Sequence, residues 1–151
     1  RGRGGNTMIT KNGAKMFKGM LKYDDDTMVS VQGEEQTVSF TYGSIRWRSS
    51  NFLLVPTQDT QEPTYEDYNC TEISSSLLTK GDQVLGFTGH NCPIITRTFT
   101  NVSNDNITMT GLALYMVDSN RVFMVGKKLL NAPRTIQPNE TVTFSYVVEF
   151  N

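Results

Sequence analysis

The chain has 151 residues and a mass of 17.0 kDa, with 14 Lys and Arg against 15 Asp and Glu, a net charge of -1. So balanced a chain lacks the basic excess that a bulk affinity for nucleic acid or an anionic membrane surface requires, and neither partner is expected. Thr, Ser and Asn supply 42 residues while Leu, Ile, Val and Phe supply 37, enough apolar material to exclude a disordered chain and, at this length, to build one core.

The first six residues, Arg1-Gly2-Arg3-Gly4-Gly5-Asn6, read as a flexible arm in which Arg1 and Arg3 are candidates for docking on a neighbouring subunit. Residues 7–151 read as a single domain. No stretch approaches the roughly 18 consecutive apolar residues of a membrane helix, and the N-terminal residues lack the apolar run of a signal peptide, so a soluble chain is expected.

Thr7 to Lys11 suits a short strand. Asn12 is placed to cap a helix over Gly13 to Tyr23, where Met16, Phe17, Met20 and Leu21 form one apolar face. Asp24-Asp25-Asp26 ends it in a turn. Strands are then predicted over Thr27 to Val31, Gln36 to Tyr42 and Ser44 to Val55, with Gly33 and Gly43 marking turns. Pro56 to Asn69 is polar and long enough to predict a projecting or binding loop.

The second half alternates more regularly. Gln83 to Thr88, Ile94 to Asn101, Asn106 to Asp118, Arg121 to Leu130 and Thr141 to Phe150 read as strands. Gly81-Asp82, Asn104-Asp105, Ser119-Asn120 and Pro138-Asn139 supply turns. In the last strand Val142, Phe144, Tyr146, Val148 and Phe150 share one face, which predicts burial on that side. Seven or eight short strands and one N-terminal helix predict a mainly β fold, an antiparallel β-sandwich of jelly-roll or Ig-like type.

Catalytic chemistry is scarce. The single histidine, His90, and Cys92 would share one face of a strand at i and i+2, a conceivable thiol-imidazole pair or half of a zinc site, but neither constellation is complete. Cys70 and Cys92 could close a loop of about 22 residues worth roughly 3 kcal/mol, yet a chain this long does not need the staple, and two unpaired thiols are the favoured reading. Asp24 to Asp26 and the set Asp59, Glu62, Glu66 and Asp67 could hold calcium or form a glycosidase-type pair, but neither has the spacing of a calcium loop and both read as solvated faces. Four N-x-S/T sequons are barely more than the two to three that 12 Asn and 30 Ser and Thr give by chance. The reading is no enzyme, no metal and no cofactor. Binding falls to aromatics: Tyr65 and Tyr68 in the polar loop, and Trp47 between Arg46 and Arg48, are the candidates for an exposed contact, with a core role the plainer reading of Trp47.

Three segments carry a resemblance. Ile107-Thr108-Met109-Thr110-Gly111-Leu112-Ala113-Leu114-Tyr115, then Leu129-Leu130-Asn131-Ala132-Pro133-Arg134-Thr135-Ile136-Gln137-Pro138-Asn139-Glu140-Thr141, and the closing Phe144-Ser145-Tyr146-Val147-Val148-Glu149-Phe150 resemble small virion structural proteins of tailed bacteriophages. These share a middle "G-L" strand and a "P-x-x-I-x-P-x-E-T" turn into a terminal alternating strand, preceded by an early strand-to-helix start that Asn6 or Thr7 through Gly13 would supply. The resemblance is specific over the last 45 or so residues and has no counterpart for Pro56 to Asn69. It implies a repeated, non-enzymatic part of a particle, such as a head fibre, a capsid decoration protein or a tail or collar component. That part would be assembled in the host cytoplasm into the virion, as a homo-oligomer among other virion proteins. A carbohydrate- or receptor-binding β-sandwich that takes a host surface glycan is the alternative; a membrane β-barrel and a hydrolase with an unrecognised carboxylate pair fit less well.

Overall fold

The structure, a computed structural model, describes residues 7–149; the arm with Arg1 and Arg3, and Phe150 in the last predicted strand, lie outside them. The order is β1 (Thr7–Ile9), α1 (Lys11–Lys22), β2 (Asp26–Val29), β3 (Glu35–Val38), a 3-10 turn (Thr41–Gly43), β4 (Phe52–Thr57), β5 (Leu78–Phe87), β6 (Pro93–Asn101), β7 (Ile107–Asp118), β8 (Arg121–Ile136) and β9 (Thr141–Val147). The strands pair antiparallel throughout, as the alternation predicts. One sheet has the order β1-β8-β7-β4, a second the order β5-β6-β9, and β2-β3 is a separate hairpin.

Period-two alternation places the core between the two larger sheets. Leu54, Leu112, Leu114, Phe123 and Val125 of the first meet Leu78, Ile95, Phe99, Val142 and Tyr146 of the second, all buried, and each such side chain contributes about 2 kcal/mol by leaving water. In β9 the predicted inner face is the observed one: Val142 and Tyr146 are buried, and so is Val148 just beyond the strand. Ser119-Asn120 is a two-residue hairpin loop joining the paired Asp118 and Arg121, with Ser119 at φ 57.

The helix departs from expectation at its start and on its buried face. Thr10, not Asn12, is the N-cap, accepting from Gly13 N at 3.2 Å and donating to Met124 O at 2.8 Å. Asn12 is buried in the first turn, where its side chain donates to Val29 O at 2.7 Å and accepts from Val29 N at 3.0 Å, so one amide takes the place of a neighbouring strand for β2. Met16 is buried but Phe17 and Leu21 are 43% and 69% exposed. The helix docks through its glycines: a Cβ on Gly13 would collide with the Val125 carbonyl and one on Gly19 with the Phe40 ring. Close backbone approach rotates Phe17 and Leu21 outward.

Three strand and turn expectations are corrected for local reasons. The strand predicted over Ser44 to Val55 begins only at Phe52, because Asn51 Oδ1 accepts from Arg46 N at 3.0 Å and Arg48 Nε at 2.7 Å and folds the segment into turns. Gly81-Asp82 is a bulge inside β5, not a turn before it. Strand β8 runs to Ile136, and Leu130 to Pro133 leave the ladder opposite Thr110.

Candidate functional site

Pro56 to Asn69 does not project. Pro56 and Thr57 are the end of β4, and the residues after them fold back as a strap across the outer face of the first sheet. Gln58 N donates to Thr71 O at 2.9 Å and Ile73 N to Pro56 O at 3.0 Å, so the strap leaves and rejoins β4 along one edge. Beneath it lies a second small core of Val55, Ala113, Tyr115 and Met124, with Cys70 packed on top. These are the outward positions of β4, β7 and β8, which alternation exposes and the strap covers.

Polar groups under the strap are paired. Lys127 Nζ lies 3.4 Å from Asp59 Oδ2 and 3.5 Å from Asp67 Oδ2, with the lysine side chain only 8% exposed. Burial pushes the Asp67 carboxyl up, but hydrogen bonds from Thr64 and the Lys127 charge outweigh it and hold the group below its ordinary value. Tyr115 Oη bonds Cys70 Sγ at 3.1 Å and donates to Glu72 Oε1 at 3.2 Å, and Glu72 Oε2 in turn meets Lys80 Nζ at 2.8 Å. Burial, reinforced by the Asp59 and Glu72 charges, pushes the Cys70 thiol up to about 11. A thiol that stays protonated is a poor nucleophile and a poor metal ligand.

Where the strap passes the helix start it forms one wall of a cleft of about 300 Å³. Lys11 and Lys15 of α1, Glu35 of the hairpin, and Glu66, Asp67 and Tyr68 of the strap line it. Lys11 N donates to Tyr65 O at 2.7 Å, which fixes the strap to the helix. Lys15 Nζ donates to Thr27 O at 2.6 Å, and Lys11 Nζ faces Glu66 at 3.8 Å. The result is a half-exposed aromatic ring beside two cations and three carboxylates, a set that can stack on one face of a polar ligand and hydrogen-bond its edges.

Of the aromatics singled out from the sequence, Tyr65 and Tyr68 are 46% and 40% exposed on the strap, and Tyr68 is the one in the cleft. Trp47 is not an exposed contact. It is partly buried against the main core, 4.8 Å from the Phe52 ring, and Nε1 donates to Gly86 O at 2.9 Å. It lines a different, apolar cavity of about 100 Å³ with Met16, Met20 and Val148. Its place between two arginines reflects a turn whose indole is drawn inward.

Both carboxylate runs are spent on lysines: the first on cations of α1, the second on Lys127, which Asp59 and Asp67 share. Asp26 faces Lys15 at 3.9 Å and Lys18 at 3.6 Å, Asp24 faces Lys22 at 3.9 Å, and Asp59 also accepts from Thr71 N at 3.0 Å. Among the described residues no group of three His, Cys, Asp or Glu is placed to hold a metal ion, and Cys70 and Cys92 are unpaired thiols. His90 sits exposed in the Thr88 to Cys92 turn, where Cys92 Sγ is 4.0 Å from the His90 carbonyl. The Lys127 pairing had one faint signal in the sequence, a lysine that follows the apolar outward residues Val122 and Met124 on the same strand; nothing local named its partners some 60 residues away. Comparison with protein-family models, with curated proteins and with solved structures finds no match.

Proposed function

We propose that the chain is a non-enzymatic structural component of a bacteriophage virion, a repeated subunit on the capsid or tail that sits among other virion proteins. The observation that carries this reading is the use to which the fold puts the segment of resemblance. Gly111 and Leu112 lie at the centre of β7, and Pro133 to Thr141 make the passage from β8 of one sheet to β9 of the other. Within that passage Ile136 is buried, Asn101 Nδ2 donates to Ile136 O at 2.9 Å, and Asn139 takes φ 67. Glu140 accepts from Gln137 N at 2.9 Å and from Arg134 at 3.2 Å. Ile136, Asn139 and Glu140 thus have architectural tasks in the turn, which supports the reading as a structural part.

The test is co-purification. Particles banded by density from lysates of cells that express the chain should carry its peptides at many copies per particle, read by quantitative mass spectrometry. Confinement of the chain to the particle-free fraction refutes the reading.

A second reading rests on the Tyr68 cleft, whose aromatic face and mixed charges suit a host surface glycan. It predicts binding on a glycan array that Tyr68→Ala abolishes while the far-ultraviolet circular dichroism is unchanged. An array without signal removes it.

A further inference from the structure

A β-sheet edge presents unpaired N–H and C=O groups, and proteins that remain monomeric blunt such edges with charge, bulges, proline, short strands or side-chain caps. This molecule does so at one edge after another. On β4, Gln83 donates to Phe52 O and accepts from Leu54 N at 3.2 Å, Arg97 Nη1 donates to Leu54 O at 3.2 Å, and the strap takes the remaining groups. On the hairpin, Asn12 and Lys15 cap β2 and Arg121 Nη1 donates to Thr37 O of β3 at 2.9 Å. Strand β5 carries a bulge between Lys80 and Gln83 and two charges, Lys80 and Asp82. Strand β1 has three residues.

Strand β9 has none of these devices. It pairs with β6 on one side and ends its sheet on the other. Its seven residues, Thr-Val-Thr-Phe-Ser-Tyr-Val, contain no charge, no proline and no glycine, and its pairing with β6 is continuous from Thr141 to Val147. No side chain among the described residues is hydrogen-bonded to its backbone. Its outward residues Thr141, Thr143 and Ser145 are exposed, and they continue a charge-free hydroxyl ladder across the sheet, with Thr96 and Ser145 at 2.7 Å and Thr100 and Thr141 at 2.7 Å.

We propose that β9 is a self-association edge, and that its partner is β9 of a second copy, paired antiparallel to make one continuous six-stranded sheet. A second strand is the occupant that satisfies alternating donors and acceptors together, and antiparallel self-pairing about a two-fold axis is closed. Because β9 is uncharged, a symmetric pair sets no like charges opposite or diagonal to one another. The hydroxyl ladder then runs on from one copy to the next. This deepens the reading as a repeated subunit by naming the surface through which copies meet.

The experiment is light scattering of the full chain over a concentration series, with hydrogen exchange of the β9 amides followed in parallel. The expected result is a concentration-dependent approach to twice 17.0 kDa, with protection of the β9 amides rising alongside. In the pairing centred on Phe144, the middle of the strand, Thr143→Lys/Ser145→Lys, at two exposed outer positions, sets lysines opposite lysines and raises the dissociation constant at least about tenfold. Val84→Lys, on the same face but on β5, leaves it unchanged. A chain that stays at 17.0 kDa throughout overturns the proposal. So does a dimer that survives the double substitution, or one weakened equally by Val84→Lys, which would mark stacking of sheet faces. A monomeric chain that still co-bands with particles refutes the β9 pairing and leaves the virion reading standing.

Discussion

Lys127 and Asp59 are 68 positions apart in sequence and their charged atoms are 3.4 Å apart, both side chains largely out of water. The lysine stands on the outward face of β8 and the aspartate on the strap, so this pair, with Asp67, decides that the strap lies down on the sheet. Removing one partner of a buried pair strands the other charge, which costs more than the pair itself is worth. Lys127→Met leaves Asp59 and Asp67 facing an apolar surface without a cation, and should destabilise the fold by about 3 kcal/mol in urea unfolding. Exchange of strap amides should accelerate in the same variant. Unchanged stability would mean that the strap is held by Cys70, Tyr115 and the β4 edge alone.

Asp67 gives the strap a pH dependence of definite sign. Its folded-state pKa lies below the ordinary carboxylate value, so its contribution is complete above about pH 4 and is lost as pH falls from there through the lower folded value. Melting temperature measured from pH 7 down to 3 should fall more steeply for the native chain than for Asp67→Asn, with the two curves converging at the acid end. Parallel curves would show that the Thr64 and Lys127 contacts do not favour the ionised form.

Gly13 separates helix propensity from packing. In a solvated helix, Gly→Ala gains about 1 kcal/mol. Here the added methyl meets the Val125 carbonyl of β8 and the Ile9 side chain, so Gly13→Ala should instead destabilise by about 2 kcal/mol. Gly86→Ala, whose added methyl has nothing within 4 Å, should change stability by less than about 1 kcal/mol. Equal effects in the two variants would contradict the close helix approach.

Tyr146 is fully buried beneath β8, and its hydroxyl has no hydrogen-bond partner among the described residues. An unpaired buried hydroxyl costs about 1 to 3 kcal/mol that its removal recovers in part. Tyr146→Phe should therefore be at least as stable as the native chain by thermal unfolding. A loss greater than about 1 kcal/mol would mean that the hydroxyl is satisfied within the folded protein.

Much of the architecture was legible in order of chain. The alternation of β9, the turn residues at Ser119 and Asn139, and the apolar runs of β7 and β8 each state their element locally, because strand period and turn conformation depend on neighbours one to three positions away. The candidate cleft was half legible: Tyr68 stood out as an aromatic in a polar loop, but Lys11, Lys15 and Glu35 lie 33 to 57 positions away and carry no shared pattern.

Residue order alone therefore settles an antiparallel β-rich chain with one helix near its start. Tertiary contact decides the rest: that Asn12 stands in for a strand instead of capping, that Phe17 and Leu21 face water because Gly13 and Gly19 let the helix backbone close on β8 and Phe40, that Trp47 turns inward to Gly86, and that a polar loop becomes a strap over an outward face which alternation alone would leave wet. In each case two or more local preferences are of similar size, about 1 kcal/mol, and one buried long-range contact outweighs them.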